Sequence, residues 1–266
     1  MFVGGRRDLL RASAGGAAAL LSGCVGGAAE GGDATGEDAD APTDDRDVRV
    51  IGHRGCADQY PENTVFAVGQ AAPHVDAVEI DVQRCGSGEL VVFHDDGLSG
   101  LTDAEGSVST TDWETLRDLT VAGSDEPIPR LSDLLAAVPA DTAVNVELKH
   151  EGMAADVLVA VEAVDNDVLV SSFVPGALRE VRDRDGTVPL AFIIADSPEI
   201  GRSIALDLDC AAIHPATDLV LGTEFVERAH DDGLDVNAWT VEDAETARTL
   251  VDAGVDGLIA DRWDLL

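Results

Sequence analysis

The chain has 266 residues, 45% of them apolar, which is enough for one large α/β domain or two small ones. Its 52 acidic residues against 17 basic ones give a formal net charge of −35. A surface this negative repels phosphate backbones, so the composition excludes nucleic acid as a partner. Because salt screens the repulsion between like charges, the composition also suits concentrated salt, and we expect a halophilic source.

The first 24 residues have the pattern of a secretion signal. Their apolar run is shorter than the ~20 residues needed to span a bilayer, and it follows three arginines. The pair Arg6-Arg7 before two leucines resembles a twin-arginine signal. The box "LSGC" resembles a lipoprotein cleavage site in which Cys24 is lipidated. We predict a lipid-anchored protein on the extracellular face of the cell membrane; an ordinary cleaved signal is the alternative.

Residues 25–47 are rich in glycine, alanine and aspartate and show no apolar periodicity. The stretch from Glu30 to Asp47 holds eight acidic residues and one arginine. Such a segment buries too little apolar surface to fold, so it predicts a disordered acidic tether. A folded domain is expected over residues 48–266.

From Val48 onward, apolar β-rich runs alternate with segments of helical pattern. Eight buried strands separated by helices predict an α/β domain, specifically a (β/α)8 TIM barrel. An open doubly wound sheet is the alternative, but the sequence lacks the glycine fingerprint of a dinucleotide site. The strands are predicted to begin near Val48, Ala77, Ala143, Val168, Val188, Ala211, Asp235 and Gly257, and the helices to cover 63–71, 131–138, 153–164, 175–184, 198–206, 223–232 and 241–253.

The second strand is followed by a strand-like run after too few residues for a parallel crossover, which predicts a β-hairpin. A two-residue turn at Gly86-Ser87 would place Glu79 opposite His94 and on the same face as Asp81. The apolar residues Ile80, Val82, Val91 and Phe93 would then share the other face.

Polar side chains gather where the predicted strands end, which is where TIM barrels place their active sites. The residues are His53 and Arg54 on strand one, Glu79 and Asp81 on strand two, His94 on its hairpin, Glu147 and Lys149 on the next barrel strand, and Trp239 on a late strand.

The three carboxylates Glu79, Asp81 and Glu147 would repel one another at one barrel mouth, and a divalent cation would resolve this repulsion. Oxygen ligands favour a hard ion, either Mg²⁺ or Ca²⁺. Two histidines can act as acid and base near neutral pH. With Arg54 and Lys149 added, the set suits a phosphate ester whose transition state spreads negative charge.

The combined pattern resembles the glycerophosphodiester phosphodiesterase family over residues 48–266. The motifs that carry the resemblance are "GHRG", "PENT", "VEIDVQ", "VVFHDDGL", "VNVELK" and "NAWTV", in that order. The resemblance implies a (β/α)8 barrel with a small insertion, about residues 97–127, after the hairpin. It also implies metal-dependent hydrolysis of deacylated phospholipids to sn-glycerol 3-phosphate and an alcohol.

The family's roles transfer to matching positions of this chain. The resemblance implies metal ligation by Glu79, Asp81 and Glu147, acid–base chemistry by His53 and His94, phosphate binding by Arg54 and Lys149, a glycerol wall of Trp239 and Phe173, and a place for Glu62 near the site. The sequence departs from the family at two places. It lacks the arginine often found after "HDDGL", and it has Ala260 where threonine is common. The first departure concerns substrate preference.

Two other functions stay open: a phospholipase C- or D-like phosphodiesterase acting on intact lipids, and a surface binding protein without catalysis. Among the remaining residues, Cys56 and Cys85 are compatible with one bridge, although free thiols are favoured. Surface or loop positions are expected for His74, His150, His214 and His230.

Overall fold

A computed structural model describes residues 48–266, so the predicted signal (1–24) and tether (25–47) lie outside the described residues. The strands are β1 Arg49–Gly52, β2 Ala77–Arg84, β3 Leu90–Val92, β4 Ala143–Leu148, β5 Val168–Ser172, β6 Leu190–Ile194, β7 Ala212–Pro215, β8 Asp235–Val241 and β9 Gly257–Ala260. The α-helices are α1 Val65–Ala71, α2 Trp113–Leu116, α3 Leu131–Leu135, α4 Ala154–Glu162, α5 Pro175–Arg184, α6 Pro198–Asp207, α7 Thr217–Val220, α8 Phe225–Asp231 and α9 Ala244–Asp252. Over this range, no helix is both long and apolar enough to cross a membrane.

Eight parallel strands close into a barrel. Strand β1 pairs in parallel with β9 on one side and with β2 on the other, which closes the sheet. The short β3 pairs antiparallel to β2 outside the parallel set. The predicted (β/α)8 barrel with a hairpin after its second strand is therefore confirmed.

Side chains alternate along each strand between the barrel interior and the surrounding helices. On β2, Val78, Ile80 and Val82 join the main apolar core, while Glu79 and Asp81 are buried on the opposite face. Each fully buried valine or isoleucine stabilises the fold by roughly 1.5–3 kcal/mol, so the outward-facing residues hold strand and helix layers together. The inward-facing residues are thereby free to be polar.

The hairpin differs from the predicted one by a single residue. Its strands pair Val82 with Val92, and the backbone N–H of Cys85 donates to the carbonyl of Glu89 at 2.9 Å. The loop therefore holds three residues, and Gly88 takes a φ of 104° that favours glycine. A shift of one residue moves every facing side chain to the other face.

The predicted pairing of Glu79 with His94 is consequently wrong, because β3 ends at Val92. The predicted apolar face is wrong too. Val91 and Phe93 belong to a separate apolar cluster with residues of the insertion, whereas Ile80 and Val82 belong to the main core.

The insertion after the hairpin has a small core of its own. Leu98, Val108, Leu116 and Val121 pack with the hairpin residue Phe93 and are all buried. This cluster anchors the insertion to the barrel, and it brings the segment after His94 to the barrel mouth. Within residues 48–266 the cysteines Cys56, Cys85 and Cys210 are free and buried.

Candidate active site

Three buried carboxylates meet at the carboxyl ends of β2 and β4. Asp81 is the register partner of Glu147, and Glu79 lies one inward-facing position earlier on β2. One oxygen from each of the three side chains lies within 4.8 Å of the others. The parallel pairing of β2 with β4 therefore brings the three predicted metal ligands together.

Burial and mutual repulsion disturb the acidity of these groups. Burial and the charge of Asp81 raise the pKa of Glu79 to about 8. The same two causes raise the pKa of Glu147 to about 6. Burial alone would also raise the pKa of Asp81, but Lys149 and Arg54 outweigh it and lower that pKa to about 2. The cluster holds more negative charge than its protein surroundings stabilise.

Two cations contact the carboxylates. Lys149, the only lysine of the chain, places Nζ 2.7 Å from Asp81 Oδ1 and 2.5 Å from Glu147 Oε1. Arg54 lies on the other side, with Nε 3.3 Å from Asp81 Oδ2 and its backbone N–H donating to Glu79 Oε2 at 2.8 Å. The side chains of Arg54 and Lys149 are therefore both close enough to contact a phosphate group bound beside the carboxylates.

The donor set fits one divalent cation. Arg54 Nη1 also pairs with Glu62 Oε1 at 3.0 Å, which confirms that Glu62 lies at the site. When Glu79, Asp81, Glu147 and Glu62 are all ionised, their charges exceed those of Arg54 and Lys149 by two, which a dication would neutralise. Glu79 Oε1 is buried and has no hydrogen-bond partner among the described residues. Oxygen-only ligands of this kind suit Mg²⁺ or Ca²⁺.

Each of the two predicted acid–base histidines is oriented by a carboxylate. His53 Nδ1 lies 2.6 Å from Asp261 Oδ1, and His94 Nδ1 lies 2.6 Å from Asp95 Oδ1. Burial lowers the pKa of His53, but the hydrogen bond that the ring donates to Asp261 and the charge of Glu79 outweigh burial and raise it. With Nδ1 occupied in both rings, Nε2 is left for proton transfer.

The sequence reasoning missed both orienting carboxylates. Asp95 directly follows His94, a few residues after β3, and Asp261 directly follows β9. Their contacts depend on loop geometry, however, and a strand-end position alone does not predict which ring a carboxylate will meet.

His94 reaches the site through a side-chain cap and not through strand pairing. After β3 the chain turns away from the sheet, and Gln83 Nε2 contacts the carbonyl oxygens of Phe93, His94 and Asp95 at 2.8, 3.1 and 2.8 Å. This buried amide fixes the turn that carries the imidazole to the barrel mouth.

Asn63 is a further site residue that the sequence pattern did not identify. It lies just before Thr64, which caps α1 by accepting from the Ala67 N–H at 3.0 Å. Asn63 adopts a φ of 57° and turns into the site, where its amide donates to Asp81 Oδ2 at 2.8 Å and accepts from the Asp81 N–H at 3.1 Å. It orients a predicted metal ligand.

Phe173 and Trp239 form an aromatic wall beside the carboxylates. Their rings meet edge to face with centroids 5.3 Å apart. Both line a cavity of about 60 Å³, together with His53, Arg54, Glu79, His94, Glu147 and Lys149. A wider cleft of about 670 Å³ opens from it between Phe173 and residues 94–100. Every residue assigned to the site within the described range is thus brought to one barrel mouth.

The remaining histidines divide into two groups. His74, His150 and His230 lie at the surface as expected. The same expectation was wrong for His214, which is 1% exposed and lies inside the barrel.

Comparison with known proteins agrees with this geometry. Residues 53–265 match the model of the glycerophosphoryl diester phosphodiesterase family. A glycerophosphodiester phosphodiesterase of Caldanaerobacter subterraneus is 29% identical over 80% of this chain and 93% of its own length. A probable glycerophosphodiester phosphodiesterase 2 of Mycobacterium tuberculosis is 31% identical over 82% of this chain and 88% of its own.

Solved structures show the same fold. An Oleispira antarctica phosphodiesterase in complex with the product sn-glycerol-3-phosphate superposes with a TM-score of 0.75 at 29% identity, covering 80% of this chain and 92% of that one. A Thermotoga maritima glycerophosphodiester phosphodiesterase superposes with a TM-score of 0.72 at 26% identity, covering 82% and 96%. The chain belongs to the glycerophosphoryl diester phosphodiesterase family and is an enzyme of that family.

Proposed function

We propose that this enzyme hydrolyses glycerophosphodiesters to sn-glycerol 3-phosphate and an alcohol at one divalent cation, Mg²⁺ or Ca²⁺, with His53 and His94 as acid and base. The observation that carries the proposal is the meeting of three buried carboxylates, two cations and two carboxylate-oriented histidines at one barrel mouth. The product bound to the Oleispira antarctica relative supports the same substrate class.

The carboxylates and the two basic side chains have different roles in the proposed reaction. Glu79, Asp81 and Glu147 would hold the cation, which when bound supplies a Lewis acid that neutralises charge on the phosphoryl oxygens. Arg54 and Lys149 bind the non-bridging oxygens that face the protein. These contacts orient the phosphorus for in-line attack.

The two histidines line the same cavity, and in each ring Nδ1 contacts a carboxylate, so Nε2 is the nitrogen left for proton transfer. One ring removes a proton from the water that attacks phosphorus, and the other gives a proton to the alcohol that leaves as its P–O bond breaks. Asp261 and Asp95 hold the rings in the tautomer that leaves Nε2 free for this exchange.

The products distinguish this proposal from its alternatives. Incubation with glycerophosphocholine, glycerophosphoethanolamine and glycerophosphoglycerol should release sn-glycerol 3-phosphate in each case. Release of glycerol and a phosphorylated head group from glycerophosphocholine or glycerophosphoethanolamine would contradict the proposed bond cleavage. Faster turnover of intact diacyl phospholipids would favour the phospholipase-like alternative, and no turnover of any diester would favour a binding protein.

Replacing Lys149 tests whether a compact cation is needed between two metal ligands. Both Lys149→Met and Lys149→Arg are expected to lose at least about 1.4 kcal/mol of transition-state stabilisation, a factor of ten in kcat/KM. Methionine removes the charge, and the wide guanidinium head would displace the phosphate. Steady-state kinetics with saturating metal measure the loss, and thermal unfolding of the metal-loaded proteins should change little.

The two variants separate charge from shape. Wild-type activity in Lys149→Arg would show that only a positive charge is needed there. Wild-type activity in both variants would mean that Lys149 takes no part in the reaction.

We also propose that the enzyme is exported through a twin-arginine signal and anchored at Cys24 on the extracellular face of the membrane, in a salt-rich environment. Cys24 lies outside the described residues, and the support is the order of motifs before it and the acidic composition. Cys24→Ser should move the protein from the membrane fraction to the soluble fraction. Unchanged fractionation would contradict the anchor. As a companion test, stability should increase from low to molar salt.

A further inference from the structure

The barrel interior beside the carboxylates is polar, where such barrels are usually filled by branched apolar side chains. Asn145 on β4 is the register partner of Glu79, and Ser171 on β5 is the partner of Glu147. His214 lies on β7, and its side chain is buried inside the barrel. All three polar residues are 1% exposed or less. Burying this many polar groups calls for hydrogen-bond partners.

Two successive hydrogen bonds, each with a known donor, determine which ring nitrogen of His214 carries the proton. The Arg49 guanidinium can only donate, so the Asn237 atom 3.3 Å from it is the amide oxygen. The amide nitrogen of Asn237 then donates to His214 Nε2 at 3.0 Å. A Cβ at Gly257 would overlap the Asn237 oxygen, so glycine leaves room for this arrangement.

His214 is therefore a neutral ring with its proton on Nδ1. Burial lowers its pKa to about 3, which keeps the ring uncharged at neutral pH. Its Nε2 accepts from Asn237, so the single ring proton must lie on the other nitrogen. The result is one N–H donor of known direction inside the barrel.

This donor and its neighbour have no protein partner. Neither His214 Nδ1 nor either end of the Asn145 amide has a hydrogen-bond partner among the described residues. Leaving such a group buried and unsatisfied is costly, so several of them at one place indicate a position suited to a hydrogen-bonding ligand. Both side chains line the cavity of about 60 Å³ that also holds Phe173 and Trp239.

The ring of His214 and the aromatic wall of Phe173 and Trp239 are held together. Trp239 Nε1 donates to the backbone carbonyl of His214 at 2.9 Å, which fixes the indole relative to the imidazole. A ligand in the cavity thus meets apolar ring faces on one side and a hydrogen-bond donor and acceptor on another.

We infer that His214 and Asn145 hydrogen-bond a hydroxyl of the glycerol moiety, and that they select a polyol over a plain alkyl group on the phosphate. The inference rests on the proposed function. A hydroxyl accepts from the His214 Nδ1–H and donates to the Asn145 amide oxygen, while its carbons pack against Phe173 and Trp239. An ammonium cannot accept a hydrogen bond from the His214 N–H, and a carboxylate cannot donate one to the Asn145 amide oxygen.

The test compares two ligands that differ only in hydroxyl groups. Metal-loaded wild-type enzyme should bind sn-glycerol 3-phosphate more tightly than propyl phosphate in titration calorimetry. His214→Leu should reduce this preference roughly tenfold or more, because it removes the donor. His214→Asn carries an amide nitrogen near the former Nδ1 position and should keep more of the preference. Asn145→Leu should lose preference without touching His214.

If His214→Leu and Asn145→Leu reduce the affinities for the two ligands equally, the inference is overturned, because His214 and Asn145 would then hydrogen-bond only water. Thermal unfolding establishes which variants are folded, and His214→Asn with Asn145→Leu carries the comparison if His214→Leu does not fold. A wild-type enzyme that hydrolyses glycerophosphodiesters but shows no preference between the ligands would contradict this inference alone. A wild-type enzyme that hydrolyses none would contradict the proposed function.

Discussion

Replacing Glu147 with glutamine is expected to abolish turnover of glycerophosphodiesters, with a loss of at least roughly 10³-fold in kcat. Glu147 supplies one of three carboxylate oxygens that lie within 4.8 Å of one another, and glutamine keeps its shape but removes the charge. A metal contributes several kcal/mol to stabilising phosphoryl charge, and about 4 kcal/mol corresponds to that factor. The affinity for the cation, measured by calorimetry, should fall in parallel. Asp81→Asn is expected to behave in the same way.

The matched control is Glu162→Gln, an identical change at an exposed position at the end of α4. It should leave both kcat and metal affinity unchanged. The metal-free Glu147→Gln protein should unfold at the same temperature as the wild type or higher, because it loses one of several crowded negative charges. Full turnover by a folded Glu147→Gln enzyme would show that the carboxylates do not hold a catalytic metal.

His53→Ala and His94→Ala are each expected to reduce kcat by roughly a hundredfold or more, the usual size of a general acid–base contribution. Each variant should also lose one limb of the pH–rate profile, because only one of the two proton transfers remains assisted. The profile of kcat against pH, taken with saturating metal and substrate, measures both effects.

His230 provides the control for these variants. Its ring also contacts a carboxylate, with Nε2 2.7 Å from Asp256 Oδ2, but it lies on α8 at the surface. His230→Ala should therefore leave the rate and the pH profile unchanged. A near-wild-type rate for His94→Ala would contradict its role, even though the Gln83 cap brings its ring to the cavity.

The sequence predicted the barrel and most of the site because both depend on local patterns. Apolar runs and turn residues locate the strands, and parallel strands bring their carboxyl ends together regardless of loop detail. Glu79, Asp81, Glu147 and Lys149 could therefore be placed before any coordinates were known. Inward and outward faces followed from the alternation along each strand.

Loop geometry could not be predicted in the same way. The segment Gly86-Ser87-Gly88 allows a turn of two or three residues, and that single residue decides the register of the hairpin. His94 reached the site for a different reason, the buried Gln83 amide. The orienting role of Asp261 depends equally on tertiary contact.

His214 was missed although a signal was present. The run Ala212-Ile213-His214 alternates, and it places His214 on the same face as the small interior residue Ala212. A single histidine at a strand end is more often solvated, and an alternation of only three residues is a weak signal against that tendency. Its tautomer depends on Asn237 and Arg49, which come from two other strands and could be related to it only in three dimensions.

Titration of a divalent cation into the metal-free enzyme, with release of sn-glycerol 3-phosphate followed at each step, shows whether hydrolysis requires one bound metal ion. Mg²⁺ and Ca²⁺ are titrated separately into protein stripped by chelation, with glycerophosphocholine as substrate. We expect no turnover without metal, activity that rises in proportion to bound cation, and saturation at one ion per chain. Full turnover by the metal-free protein would contradict this requirement.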